Sequence, residues 1–291
     1  MEKTREEKIK EYKKSNLLRR GKIALKAGFT TGEEYLASLE KKIKVKKTTK
    51  KASKKKDMLD YVVAFDTTGS MAGYINNVKA HVEKLIPDMF SQDIDLKMKI
   101  IAFGDYCDMS GMNNFGKAYQ ESQFTDNQSE LISFTKNAKK TSGGDSDEFY
   151  ELVIKKITEE TPWREGSKRA VLFIADCNPH TPTYNHPYKT SNIDWKEEAR
   201  KAAKINVAFD TLAIHGNGYP WYKELSSITG GVYMQFQSSS KMNEVFTASA
   251  YARGSSTSKR SFTAAYTSAV ASGDTELIGT YKSLSSLLDE K

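Results

Sequence analysis

The segment LDYVVAFDTTGSM, residues 59–71, decides the fold of this chain. Its first part is a short apolar run with β-branched residues, which predicts a strand buried on both faces. The run ends at Asp66, and two hydroxyl residues, Thr68 and Ser70, follow at alternate positions before a helical pattern begins. A buried strand that ends in an aspartate and leads into a helix is typical of a parallel α/β sheet, where ligands bind beyond the carboxyl ends of the strands.

The same alternation of strand and helix continues along the chain. Apolar runs predict further strands at 96–103, 169–176, 206–214 and 231–236, and helical patterns lie at 71–90, 128–139, 147–159, 194–204 and 220–229. We therefore predict an α/β fold with a Rossmann-like, doubly wound, mostly parallel sheet flanked by helices. The strand at 169–176 also ends in an aspartate, Asp176, so this carboxylate and that of Asp66 are expected at one edge of the sheet.

Charge and composition divide the 291 residues into three parts. The net charge is +8, but residues 1–56 alone hold 20 Lys/Arg against 7 Asp/Glu, and the remainder is therefore mildly acidic. Helical patterns and the lysine-rich stretch 44–56 predict a basic helical arm with a flexible linker at residues 1–56. The α/β domain is then expected at 57–250, followed by a Ser/Thr-rich helical extension at 251–291.

The extension carries apolar residues at helical spacing in spite of its polar composition. Fourteen of its 41 residues are Ser or Thr. Phe262, Tyr266 and Val270 recur every four residues, a second such pattern runs from Leu277 to Leu288, and Gly273 separates the two. We expect two C-terminal amphipathic helices that pack on the body or on a partner.

Three loops at the predicted sheet edge offer oxygen ligands. The first is DTTGS at 66–70, the second is TSGGD at 141–145, whose glycines allow close backbone approach, and the third follows the strand at 169–176. Hard divalent cations prefer oxygen ligands and keep several waters. We therefore predict a site for Mg²⁺, with Mn²⁺ as the alternative ion, held by Asp66, Thr68, Ser70, Asp145 and Asp176. A strand-end aspartate alone could equally cap the following helix, and it is the presence of three such loops that favours a metal.

Six segments in a fixed order resemble a known family. They are FDTTGSM (65–71), IAFGDYCD (101–108), FTDN (124–127), GGDSDEFYELV (143–153), PWR (162–164) and IADCNPH (174–180). They are similar to von Willebrand factor type A domains with a metal-ion-dependent adhesion site, above all to the type A domains linked to α-kinases and to bacterial relatives. The family motif is D-x-S/T-x-S, then a Thr or Asp in a glycine-rich loop, then an Asp at a strand end. The matching residues are Asp66, Thr68, Ser70, Asp145 and Asp176.

The resemblance implies a protein-binding module rather than an enzyme. In the family, the metal captures an Asp or Glu side chain of a partner protein, and the relatives suggest an intracellular adaptor within a larger assembly. Asp145 replaces the commoner Thr and adds negative charge beside the metal. Kinase activity is not implied, because the sequence shows no glycine-rich phosphate loop in the right context.

Two other functions remain as alternatives. The basic arm at 1–56 could bind nucleic acid, since Lys and Arg supply most sequence-independent affinity for it. A metal-dependent hydrolase would need a general base or a second metal, and no such residue is evident. No apolar run approaches the roughly 20 residues of a membrane helix, so no membrane partner is expected. The polar start of the sequence and the two cysteines favour a cytoplasmic protein.

Cys177, His180 and His186 follow Asp176 closely and contain ligand types that zinc prefers. The paired-ligand spacing of zinc sites is missing, so we favour a packed loop with solvated histidines. Asp105 and Asp108 follow the second predicted strand, and we leave them out of the metal site because acidic residues are common at strand ends.

Overall fold

The structure is a computed structural model that describes residues 56–110, 117–214, 219–236, 241–254 and 256–288. The basic arm and linker predicted at 1–56 lie outside the described residues except for Lys56. Within the part of the chain that is described, no helix combines the length and the apolar character needed to cross a membrane.

A six-stranded sheet forms the centre of the fold. The described residues contain eight strands, of which six form this sheet; the eight are β1 (Met58–Asp66), β2 (Asp95–Phe103), β3 (Tyr119–Glu121), β4 (Asp147–Glu148), β5 (Lys168–Ala175), β6 (Asn178–Pro179), β7 (Val207–Ile214) and β8 (Tyr233–Phe236). The sheet has the order β3-β2-β1-β5-β7-β8, and β4 pairs separately with β6. Only β3 is antiparallel to its neighbour in the main sheet. The predicted mostly parallel sheet is thus confirmed.

Helices cover both faces of this sheet. They are α1 (Ile75–Phe90), α2 (Gln128–Asn137), α3 (Tyr150–Glu160), α4 (Trp195–Lys204), α5 (Pro220–Thr229), α6 (Met242–Arg253), α7 (Ser256–Ser272) and α8 (Thr275–Leu284). Successive residues of a strand point to opposite faces. Accordingly, Val63 and Phe65 of β1 share a core with α1, α2, α6, α7 and α8, whereas Val62 and Ala64 share a second core with α3, α4 and α5. This arrangement confirms the predicted doubly wound α/β class.

The C-terminal helices pack on the body of the fold. Phe262 of α7 and Leu284 of α8 are fully buried in the same core as β1. Gly273, with a φ of 71°, lies between the two helices, where a left-handed residue ends a helix at little cost. The predicted start of the extension at residue 251 falls inside α6, which runs without a break from Met242 to Arg253.

The strand order changes direction at β1, which has β2 on one side and β5 on the other. The chain passes from β1 to β2 towards one edge and from β5 to β7 and β8 towards the other. The carboxyl ends of β1 and β5 therefore form a topological switch point, which is where open α/β sheets bind ligands. Asp66 is the last residue of β1, and Asp176 follows β5 directly.

Candidate metal centre

Asp66 is fully buried, and hydrogen bonds hold both of its carboxylate oxygens. Oδ1 accepts from the backbone N–H and from the hydroxyl of Thr68, each at 2.7 Å. Oδ2 accepts from the hydroxyl of Tyr150, which in turn accepts the backbone N–H of Cys177 at 3.3 Å. Because Tyr150 belongs to α3, the orientation of Asp66 depends on a helix that packs across the sheet from α1.

Four of the five predicted ligands lie in a continuous row of oxygens. The Oγ1 of Thr68 is 2.7 Å from Oδ1 of Asp66 and 3.2 Å from Oγ of Ser70. The Oγ of Ser70 lies 3.1 Å from Oδ1 of Asp176. Adjacent oxygens of an octahedral Mg²⁺ site are about 2.9 Å apart, because each lies 2.0–2.1 Å from the ion. The three separations bracket that value, so the row could supply neighbouring ligands to one ion.

The first loop is held in place by the second. Thr67 donates its backbone N–H and its hydroxyl to the carbonyl of Phe103, both at 2.8 Å, and accepts the N–H of Thr141. The N–H of Gly69 donates to the carbonyl of Ser142 at 3.1 Å. The sequence predicted a helix from residue 71, but a 3-10 turn at Gly69–Gly73 precedes α1. That turn directs the hydroxyl of Ser70 back towards Asp176.

Glu148 is a candidate ligand that the sequence analysis did not single out. The side chain is buried, and its Oε2 has no hydrogen-bond partner among the described residues. A Cβ at Gly143, whose φ is 68°, would lie 2.9 Å from Oε1 of Glu148, so a glycine is needed there. A buried carboxylate oxygen without a partner is costly unless a proton or a cation neutralises it.

Negative charge accumulates where Asp66, Asp176 and Glu148 influence one another. Burial raises the pKa of Asp66, and the charge of Asp176 raises it further against the hydrogen bonds from Tyr150 and Thr68. Burial likewise raises the pKa of Glu148, and the charge of Asp66 adds to that effect. Both shifts have the same physical cause, which is ionised oxygen atoms crowded together away from water. A divalent cation bound here would remove this cost, and a donor set of carboxylates and hydroxyls is of the kind that Mg²⁺ prefers.

Asp145, the fifth predicted ligand, belongs to a different group. Its Oδ2 accepts a hydrogen bond from the Tyr184 hydroxyl at 2.8 Å. One oxygen of Asp145, one oxygen of Asp105 and the Sγ of Cys107 all lie within 4.8 Å of one another. Among the described residues, this group of acids and a thiol could hold a metal ion, and the structure brings Asp145 to it. No feature of the linear sequence indicates that residues 105, 107 and 145 meet.

The two acids left aside in the sequence analysis are both buried. Asp108 accepts the backbone N–H groups of Ser142 and Gly143 at 2.8 and 3.1 Å, and so shapes the glycine-rich loop. Asp105 accepts from His180, whose Nε2 is 2.7 Å from its Oδ1. Burial alone would raise the pKa of Asp105, but hydrogen bonds from His180 and from the N–H of Cys107 hold that pKa below its ordinary value.

The three residues weighed as zinc ligands do not form one group. Cys177 lies beside Asp176, with its Sγ 3.4 Å from Oδ1 of that residue. His180 is buried against Asp105, and the expectation that it is solvated is wrong. Burial would lower the pKa of His180, but the hydrogen bond and the charge of Asp105 outweigh burial and raise it. His186 instead lies near the other cysteine, with its Nε2 3.8 Å from the Sγ of Cys107.

Comparison with solved structures agrees with the α/β fold, and comparison of sequences finds weak homology to part of one protein kinase. No family model matches the chain. The chain is 29% identical over 164 residues to the α-protein kinase vwkA of Dictyostelium discoideum, a match that covers 55% of this chain and 25% of that protein. The solved structure of the pilus adhesin SpaC from Lactobacillus rhamnosus GG, in its open conformation, matches with a TM-score of 0.51 and 14% identity.

These relatives are much longer than the region they share with this chain. The match to the adhesin covers 67% of this chain and 30% of the adhesin chain. The chain therefore spans about a quarter of the kinase and less than a third of the adhesin. At 14% identity the likeness to the adhesin shows the α/β fold alone. The match to the kinase is a weak homology to part of an α-kinase-linked protein.

Proposed function

We propose that this chain is a protein-binding module in which Mg²⁺ captures a carboxylate of a partner protein. The ion would be held by Asp66, Thr68, Ser70, Glu148 and Asp176. The observation that carries the proposal is the row of oxygens from Asp66 to Asp176, with separations that suit one octahedral ion at the switch point of the sheet. In this proposal Glu148 replaces Asp145, whose carboxylate faces Tyr184 and Cys107 instead.

The burial of the ligands supports capture of a ligand from outside. Asp66, Thr68 and Glu148 are buried, whereas Ser70 is exposed. An ion held by this set would be enclosed from the side of the sheet and open on the side of Ser70. Two of the five protein ligands are neutral hydroxyls, and five protein ligands leave the sixth octahedral position for a partner carboxylate in place of a water. Tyr150 keeps Asp66 in the required orientation.

The comparisons suggest the setting in which such a module works. One relative is named as an α-protein kinase and the other as a pilus adhesin, and in each the shared region is a minor part of a longer protein. A module of this size could act as the adhesive part of a larger assembly. We propose the role of a metal-dependent adaptor, with no covalent chemistry at the Asp66 centre.

Pull-down experiments with the full chain test this function. Ser70→Ala is the most informative variant, because Ser70 is exposed and its loss leaves the hydrogen bonds between Asp66, Thr68 and Tyr150 in place. Ser133→Ala, at an exposed serine of α2, is the matched control. Partners retained with Mg²⁺ by the wild type and the control should be lost in EDTA and in Ser70→Ala. Partners that stay bound to Ser70→Ala in EDTA would refute capture through the metal.

A further inference from the structure

The group around Cys107 differs in chemistry from the Asp66 centre. It combines a thiol and carboxylates, and His186 brings an imidazole nitrogen to within 3.8 Å of the Cys107 sulfur. None of these side chains takes part in the proposed capture of a carboxylate. Asp105, Cys107 and Asp145 therefore bring three potential ligand atoms within 4.8 Å of one another, and His186 contacts the sulfur of this group.

The spacing of sulfur and nitrogen suits a tetrahedral zinc ion. With Zn–S at about 2.3 Å and Zn–N at about 2.0 Å, the two ligand atoms of such a site are about 3.6 Å apart. The observed separation between Cys107 and His186 is 3.8 Å. The oxygens of Asp105 and Asp145 lie within 4.8 Å of the same sulfur and of each other. We propose that Cys107, Asp145 and Asp105 form a metal site that binds a borderline transition-metal ion such as Zn²⁺, and that His186, which lies beside the sulfur but outside this group, turns towards the ion as the fourth ligand.

The neighbouring side chains orient the ligands of this site. Tyr184 donates its hydroxyl to Oδ2 of Asp145, and His180 contacts Oδ1 of Asp105, so that each carboxylate is fixed. The ring of Tyr184 stacks on His180 with centroids 3.7 Å apart and is nearly parallel to His186, at 4°. Partners that fix the orientation of ligands in this way are a general feature of metal sites in proteins.

The backbone leaves room for the thiol at one position. A Cβ at residue 144 would collide with the Sγ and the Cβ of Cys107, so only glycine fits at Gly144. The close approach of this loop brings Asp145, the next residue, to the sulfur. The glycine-rich loop thus contributes Asp145 to the second site and, through Gly143, makes room for Glu148 in the first.

The ligand types predict a different ion from that at the Asp66 centre. Thiolate and imidazole favour Zn²⁺ over Mg²⁺, which prefers carboxylates, hydroxyls and water. Binding through Nε2 of His186 requires the ring proton on Nδ1. The long contact of 3.4 Å between the N–H of Tyr188 and that Nδ1 would then be given up.

Co²⁺ titration of the full chain tests the proposal, because a cobalt–thiolate bond gives a charge-transfer absorption band. The chain has two cysteines, and Cys177→Ser is the matched control for Cys107→Ser. We expect one equivalent of Co²⁺ to produce the band in the wild type and in Cys177→Ser. Cys107→Ser should lose it, and Zn²⁺ affinity should fall by at least about 10-fold, since even orienting partners have effects of that size. His186→Gln should weaken Zn²⁺ binding similarly.

Three results would overturn the proposal. One is the absence of the band in the wild type, which would leave the contact between Cys107 and His186 as a thiol–imidazole hydrogen bond. Another is a band that is lost in Cys177→Ser and kept in Cys107→Ser, which would place the ion beside Asp176. The third is undiminished Zn²⁺ affinity in His186→Gln. Circular dichroism and the stabilisation of Cys107→Ser by Mg²⁺ show that the variant is folded, and the latter tests the Asp66 centre separately.

Discussion

The hydroxyl of Ser70 lies 3.1 Å from the Oδ1 of Asp176, although 106 positions separate the two residues in the chain. They meet because β1 and β5 are parallel neighbours, with Phe65 opposite Ile174, so the loops that follow the two strands leave the sheet at the same height. The turn at Gly69–Gly73 then directs Ser70 sideways across the gap. The contact joins the two halves of a doubly wound sheet at its switch point.

The first prediction separates the two acidic residues of the glycine-rich loop. Glu148→Gln should lower Mg²⁺ affinity by about tenfold, or about 1.4 kcal/mol, because a buried carboxylate beside Asp66 is lost while the shape of the side chain is kept. Asp145→Asn should leave Mg²⁺ affinity unchanged, because the carboxylate of Asp145 faces Tyr184 and Cys107. Calorimetric titration of both variants checks this. The opposite pattern would restore Asp145 as the ligand, as the sequence suggested.

A second prediction concerns pH. Burial and neighbouring charge raise the pKa values of Asp66 and Glu148 in the folded chain above the value of about 4 expected when it is unfolded. Between those values the folded chain binds more protons than the unfolded chain, so the stability of the metal-free protein should fall as pH rises. Mg²⁺ competes with these protons, and its affinity should therefore rise with pH.

Thermal melts in EDTA and in Mg²⁺, from about pH 5 to about pH 8, measure both effects. The stabilisation by Mg²⁺ should grow with pH in the wild type. In EDTA, the thermal midpoint of Asp66→Asn should depend less steeply on pH than that of the wild type. Glu151, whose pKa burial raises to about 7, contributes a decrease of the same sign in every variant, so the difference between variants is the quantity to compare. A stabilisation that is constant across this range would contradict the account.

The third prediction concerns the opposite end of β1, where the strand begins. Asp60 of β1 is fully buried, and Arg164 bonds it twice, through Nε and through its backbone N–H, each at 2.7 Å. Arg164→Ala would leave a buried carboxylate without its cation and should cost about 3–5 kcal/mol of unfolding free energy. Urea denaturation measures this cost. Mg²⁺ affinity should be unchanged in the folded variant, since Asp60 lies at the start of β1 and Asp66 at its end.

The sequence was sufficient for the fold because buried parallel strands appear as uninterrupted apolar runs. Strands β1, β2, β5 and β7 are buried along most of their lengths, and each was predicted to within about two residues. It also placed Asp66, Thr68 and Ser70 beside one another, because one turn fixes their relative positions, while their role as metal ligands stays a prediction. Asp176 followed from the rule that ligands bind beyond the carboxyl ends of parallel strands.

The glycine-rich loop was harder to predict for a physical reason. The stretch GGDSDE offers three acidic residues within four positions, and its spacing does not show which of them turns inward. The short pairing of β4 with β6 decides this, because it places Glu148 opposite Pro179, next to the loop that follows Asp176. The meeting of Cys107 with His186 depends on loop packing over 79 positions, and no local pattern predicts such a contact.

The central claim is a Mg²⁺ site built on Asp66, and thermal stability measured with and without Mg²⁺ tests it most directly. A ligand that binds only the folded state stabilises it by about 2.7 kcal/mol at a concentration 100 times its dissociation constant. Asp66→Asn keeps the shape of the side chain and removes the charge that the ion requires. We predict a rise in the thermal midpoint of the wild type with Mg²⁺ and no rise in Asp66→Asn. Equal rises in the two proteins would contradict the site.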